Sequence, residues 1–187
     1  MNRKFLAGIV APAIAAVLVG CSSQPAAPTA DHNAADVTFA QDMVPHHRQA
    51  VEMSVPVPQH TGDQRVVKLA QQIQQAQQPE IDQLTAWLKA WGAPAPSTMG
   101  GTDHGRMSGM DHGRMPGMVD TAGLDQLRDA AYDRKWLELM IEHHSGAVAM
   151  ARTELAQGSS AAAKAMAQRI ADTQEAEITT MKSLLAG

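Results

Sequence analysis

The sequence predicts an all-α protein, a four-helix bundle made of two duplicated helical hairpins joined by a long Met/His-rich loop. Three observations predict it. Aromatic residues make up only 3 % of the chain, Ala and Gln are frequent, and β-branched runs are absent, a composition that suits helices. Helical periodicity brackets a Gly- and Pro-rich stretch that has none. The two bracketing halves also repeat each other.

The repeat appears on shifting the first half by 97 residues without a gap. Asp36 meets Asp133, and Phe39 meets Trp136. Met43, His46, His47, Ala50, Val51 and Met53 meet Met140, His143, His144, Ala147, Val148 and Met150. Ala70, Gln71, Ile73, Gln77, Glu80, Ile81 and Leu88 meet Ala167, Gln168, Ile170, Gln174, Glu177, Ile178 and Leu185. That is 14 identities over 55 positions, so the chain carries an internal duplication.

Each repeat reads as a hairpin. Helix one runs from about Asp36, its expected N-cap, to about Ser54, and helix two from about Asp63 to Trp91, ending at Gly92. The third covers roughly Tyr132 to Gln157, stops at Gly158 and follows a short helix at Gly123–Ala130. The fourth starts near Ser159 or Ser160 and runs to about Leu185. Pro45 and Pro79 fall inside helices and should kink them. Pro56 and Pro58 should end helix one early, so that Val55–Gly62 runs back along the bundle.

Outside the repeats, residues 1–20 look like a lipoprotein signal peptide. Arg3 and Lys4 are followed by an apolar run, and Leu18-Val19-Gly20-Cys21 resembles a lipobox with Cys21 as the lipidated residue. Residues 21–35 are rich in Pro, Ala and Ser and read as a flexible tether. Residues 36–92 and 123–187 are the two hairpins of one bundle domain, and 93–122 is the loop. The expected place is the bacterial cell envelope, with the lipid on the outer face of the cytoplasmic membrane or otherwise on its periplasmic side.

Cys21 is the sole cysteine, so lipidation leaves no thiol for a disulfide, a thiolate site or a nucleophile. Any soft metal ligand must then be methionine. Without Arg3 and Lys4 the chain has 13 basic against 19 acidic residues. That balance excludes nucleic acid as a partner and suits the gathering of cations.

On a helical wheel Asp36, Phe39, Met43, His46, His47, Ala50 and Met53 fall within about 120°, a core-facing stripe. Trp136, Met140, His143, His144, Ala147 and Met150 repeat it. Leu69, Ile73, Ala76, Leu84, Trp87 and Trp91 define the apolar face of helix two, with Glu80 in its middle and Gln77 near its edge. Glu177 and Gln174 sit likewise on helix four. A core-facing carboxylate needs a cation or strong donors. Two of them opposite two His pairs make a metal site inside the bundle the reading to test. Taken singly, such a His, Met or Gln-x-x-Glu is ordinary packing or a solvated face; the duplicated combination carries the argument.

The loop is a separate signal. Asp103–Met110 and Asp111–Met118 are tandem octapeptides of the form D-H-G-R-M-x-G-M. Met99, His104, Met107, Met110, His112, Met115 and Met118 put five thioethers and two imidazoles into twenty residues. Such a donor set favours Cu(I), or Ag(I), over Mg or Ca. Residues 98–118 are expected to contribute little to the core.

The segments His32–Met53 and Trp136–Met150, with Gln-x-x-Glu-Ile at 77–81 and 174–178, resemble the domain-of-unknown-function 305 family. The resemblance implies a ferritin-like four-helix bundle in exported proteins, some of them implicated in periplasmic copper binding and resistance. The family motif falls on Met43, His46, His47, Met53, Gln77 and Glu80, and on Met140, His143, His144, Met150, Gln174 and Glu177. Ser54–His60 departs from the family, which usually keeps a regular helix end there. The resulting expectation is a copper-binding lipoprotein for buffering, sequestration or handover, without turnover. Silver or another transition metal stays open as cargo, and a copper-handling protein or a second copy as partner. The rivals are a ferritin-like metal oxidase, which Glu80 and Glu177 favour, and a structural envelope protein with core histidines.

Overall fold

The computed structural model describes residues 31–96 and 116–187. Four long α-helices and one single-turn helix make up the described architecture: α1 Ala34–Ser54, α2 Val57–His60, α3 Gln64–Ala90, α4 Asp129–Gln157 and α5 Ala161–Ala186. A 3-10 turn at Leu124–Gln126 precedes α4 where a short helix over 123–130 was expected. No helix among the described residues is long and apolar enough to cross a membrane.

Local chemistry sets the helix ends. Asn33, rather than Asp36, caps α1: its side chain accepts from the N–H of Ala35 at 2.8 Å and of Asp36 at 3.2 Å. Asp36 completes the capping box by accepting from the Asn33 N–H at 2.6 Å. Asp63 and Ser160, equivalent in the duplication, cap α3 and α5. Gly92 ends α3 in the left-handed region at φ +66°, where a Cβ is unfavourable.

The prolines fall where expected, and the connection after α1 adds one helical turn. Pro45 and Pro79 lie inside α1 and α3, and neither ends its helix. After Ser54 the chain makes the single turn α2, with Pro56 as its N-cap and Pro58 in its first turn. There a missing N–H costs nothing, because first-turn amides have no partner inside the helix. Val57 of this turn is fully buried.

α1 packs on α3, α4 on α5, and the hairpins meet across α1 and α4. These two helices are antiparallel. The start of α1 meets the end of α4, where Asp36 accepts from the Ser160 N–H at 2.9 Å. At the other end the Trp136 indole N–H donates to the Met53 carbonyl at 3.0 Å.

The core comes in two parts. One holds Met53, Leu69, Ile73, Trp136, Met140 and Met181. The other holds Phe39, Met43, Leu84, Leu88, Met150 and Ile170. Each part therefore draws on both repeats. Between them lies a polar layer containing His46, His47, Gln77, His143, His144 and Gln174, all buried.

Candidate metal centre

Helical spacing places the layer. Met43 and His46, three residues apart, share one face of α1, and Met140 and His143 share the matching face of α4. Antiparallel packing brings the equivalent histidines together at the centre. The rings of His46 and His143 lie 3.7 Å apart between centroids, inclined by 35°. His47 and His144 flank them at 6.4 and 6.2 Å from the neighbouring His of their own helix.

The outer histidines are held from behind. His47 Nε2 donates to Glu80 at 2.8 Å, and His144 Nε2 to Glu177 at 2.7 Å. A carboxylate only accepts, so Nε2 carries the hydrogen, and in that neutral tautomer the lone pair stands on Nδ1. Both Nδ1 atoms are buried and have no hydrogen-bond partner among the described residues. Both ring nitrogens of His46 and of His143, both amide atoms of Gln77 and Oε1 of Gln174 are likewise unpartnered. Each such atom costs about 1–3 kcal/mol when sealed from water without a partner.

Electrostatics keep the central pair neutral. Burial pushes the His46 pKa well below its usual value, and the imidazoles of His143, His47 and His144 push the same way. The Pro116 carbonyl works in the opposite direction, though its geometry falls short of a hydrogen bond. Burial, then His144 and His47, pushes His143 down to about 3. Two neutral imidazoles offer lone pairs, as metal ligation requires.

Among the described residues no three His, Asp or Glu side chains converge closely enough to cage an ion. The remaining inward donors are thioethers. Met43 and Met140 are fully buried, one at each border of the layer. Met53 and Met150 are buried too, but seven residues beyond His46 and His143, a rise of about 10 Å. They pack in the two apolar cores, away from the layer.

The acidic face of α3 is rotated from its expected orientation. Gln77 is the buried residue, whereas the Glu80 side chain is 21 % exposed at the edge of the layer. Ala76, expected on the buried face, is exposed. Glu177 matches Glu80 at 14 % exposure, and Gln174 matches Gln77. Met118 is half-buried on the described end of the connection. Cys21, Met99, His104, Met107, Met110, His112 and Met115 lie outside the described residues.

Two features were not anticipated from the sequence. Residues 116–119 pack against the bundle: the Pro116–Gly117 backbone rests on Gly146 of α4, and Val119 is buried. An uncompensated helix-interior glycine at 146, where the first repeat has Gln49, was the available signal. The second feature is a buried carboxyl pair: Asp36 was expected on the core-facing stripe, but its partner Glu154 was not.

The family model described as Domain of unknown function (DUF305) matches residues 36–185. A DUF305 protein from Streptomyces coelicolor is similar in structure, with 37 % identity, a TM-score of 0.70, and coverage of 81 % of this chain and 91 % of that one. A DUF305 fragment from Deinococcus radiodurans shows 34 % identity, a TM-score of 0.69, and coverage of 82 % and 97 %. CopM in its Cu(II)-bound form shows 28 % identity, a TM-score of 0.68, and coverage of 81 % and 95 %. CopM has also been solved in Cu(I)-bound and Ag-bound forms. Among curated proteins no match was found. A bundle of two equivalent hairpins with a His pair from each, matched by the family model over nearly all its helical residues, places this chain in the DUF305 family.

Proposed function

We propose that this chain binds copper, Cu(I) in preference, inside the bundle, and serves in the cell envelope to buffer, sequester or hand over the metal. The observation that carries the reading is the set of unpartnered imidazole nitrogens in the polar layer. A buried neutral lone pair has a cost without a partner, and a soft or borderline metal ion offsets it. Glu80 and Glu177 fit the role of outer partners that fix the tautomer and orientation of ligating His47 and His144. Met43 and Met140 supply thioethers at the borders of the layer. The likeness to CopM, solved with Cu(I), Cu(II) and Ag, supports the choice of metal. The tandem octapeptides add surface capture of Cu(I), and lipidation at Cys21 would hold the protein at the membrane.

Copper-dependent melting tests the reading. Adding Cu(I) to the parent should raise its Tm, because ligands organised by the fold couple binding to folding. Alanine at His46, His47, His143 and His144 should abolish that shift while the octapeptides still bind copper. An unchanged shift in the four-histidine variant would make the bundle histidines core packing.

The oxidase remains the second reading, favoured by Glu80 and Glu177. Oxygen uptake on adding Cu(I) or Fe(II) separates the two. Multiple turnovers per site, lost on Glu80→Ala or Glu177→Ala, would replace the buffer with the enzyme.

A further inference from the structure

Residues Pro116–Val119 cross the groove between α1 and α4 directly over the central histidines. A Cβ placed on Gly117 would stand 2.9 Å from His46 Nε2, 2.6 Å from the His143 carbonyl and 2.7 Å from the Gly146 Cα. Gly117 has φ +82°, a conformation other residues adopt only with strain. Opposite it, a Cβ on Gly146 would run into the Pro116 carbonyl and the Gly117 Cα. The two glycines thus let the crossing segment lie backbone against backbone on α4.

The α1 side is fastened. The Gln49 amide donates from Nε2 to the Val119 carbonyl at 3.0 Å, and its Oε1 accepts from the Val119 N–H at 3.1 Å. Gln49 and Gly146 occupy the same position of the duplication, each three residues after the first histidine of its pair. One copy of that position grips the strap and the other makes room for it. Surface hollows of about 410 and 360 Å³ open on either side, the first lined in part by Pro116 and Met150, the second by Gln49 and Thr121.

We propose that Pro116–Val119 is the closure of the His46/His143 site, with Gln49 and Gly146 as positioning residues that set how fast solvent and metal reach the central imidazoles. The metal half of this rests on the copper reading above; the closure itself does not. With the strap seated, His46 Nε2 faces the Gly117 backbone rather than water. Lifting the strap uncovers the pair without unfolding either hairpin, a local opening of the kind that has its own equilibrium. Gln49→Ala removes both hydrogen bonds to Val119. Gly146→Ala forces the strap off α4 from the other side.

The test reads histidine accessibility and copper release in the full chain. Diethylpyrocarbonate modification of His46 and His143, followed by mass spectrometry without metal, should be slow in the parent. Loss of two hydrogen bonds should accelerate it about tenfold in Gln49→Ala, with a comparable gain in Gly146→Ala. Circular dichroism should show parental helix content in at least one variant, and that variant decides the matter. Transfer of Cu(I) from loaded protein to a chromophoric chelator should speed up likewise, with the total copper bound unchanged. Unchanged histidine modification in a folded variant overturns the strap whatever the copper data show. Faster modification with no Cu(I) bound by the bundle of the parent sustains the strap and sinks the copper reading.

Discussion

The rings of His46 and His143, equivalent residues of a duplicated sequence, face each other at 3.7 Å across the antiparallel α1 and α4. Each ring has two buried nitrogens with no hydrogen-bond partner among the described residues. Their replacement by leucine in the double variant should therefore stabilise the metal-free protein, by about 1–3 kcal/mol, since it removes unsatisfied polar atoms at similar volume. Urea denaturation without metal measures this. A loss of stability would show that the ring nitrogens are satisfied in solution and would remove the main argument for ligation.

Glu80 and Glu177 should act on affinity rather than on stoichiometry. Glu177→Ala leaves the His144 ring unoriented and should weaken bundle copper binding about 10- to 100-fold. His144→Ala should delete a ligand outright. Competition against a chelator of known affinity, with copper counted by native mass spectrometry, separates these effects. One copper fewer per chain in Glu177→Ala would make that carboxylate a direct ligand.

Asp36 and Glu154 give the fold a pH dependence of its own. Burial raises Glu154 to about 8, and the neighbouring Asp36 carboxyl and its charge add to the rise, with Lys164 opposing. Burial would raise Asp36 too, but the neighbouring Glu154 carboxyl and the N–H groups of Asn33, Ser160 and Ser159 outweigh it and bring Asp36 down to about 2. Glu154 is thus the protonated member. Its contribution is complete below the unfolded value of 4.5 and is lost as pH rises towards about 8. Stability should fall over that window by at most about 1.4 kcal/mol per pH unit. Asp36 acts in the opposite sense, losing its contribution as pH falls from 3.8 through about 2. Glu154→Gln keeps a donor without a titrating proton and should flatten the decline in urea melts at pH 5, 7 and 9. An equal decline in that variant would place the dependence elsewhere.

Loop and bundle should be separable if the cut spares the strap. Deleting Thr98–Met115 should leave helix content and the histidine-dependent copper shift in Tm, and lower the Cu(I) bound per chain. A cut that also removes Pro116–Met118 should in addition speed copper exchange at the bundle. Equal exchange rates in the two deletions would count against any tie between strap and site.

Much of the centre was legible because helical spacing turns M-x-x-H-H into one face, and because the motif occurs twice. The α3 orientation was not. Ala76, Trp87 and Trp91 suggested one apolar stripe, but Ala76 is exposed, and Trp87 and Trp91 stack half-buried at 5.8 Å. The true stripe runs through Leu69, Ile73, Gln77, Ile81, Leu84 and Leu88, which turns Gln77 inward and Glu80 to the edge. A wheel fixes spacing, not rotation, and packing decides the rest. The strap stayed hidden because it depends on one left-handed glycine meeting another glycine distant in the chain. The Asp36–Glu154 pair stayed hidden because nothing local links the two residues.

The division of the interior into two apolar parts bears on how such a chain could arise. Each part takes one end of one hairpin and the opposite end of the other, so a lone hairpin owns half of each and completes neither. Two identical hairpins related by a two-fold axis would complete both, with the equivalent histidines meeting on the axis. The present arrangement has the geometry of such a homodimer fused into one chain. Fusion also permits what symmetry forbids: a single connecting segment crosses the axis once, and the position that is Gln49 in one half can be Gly146 in the other.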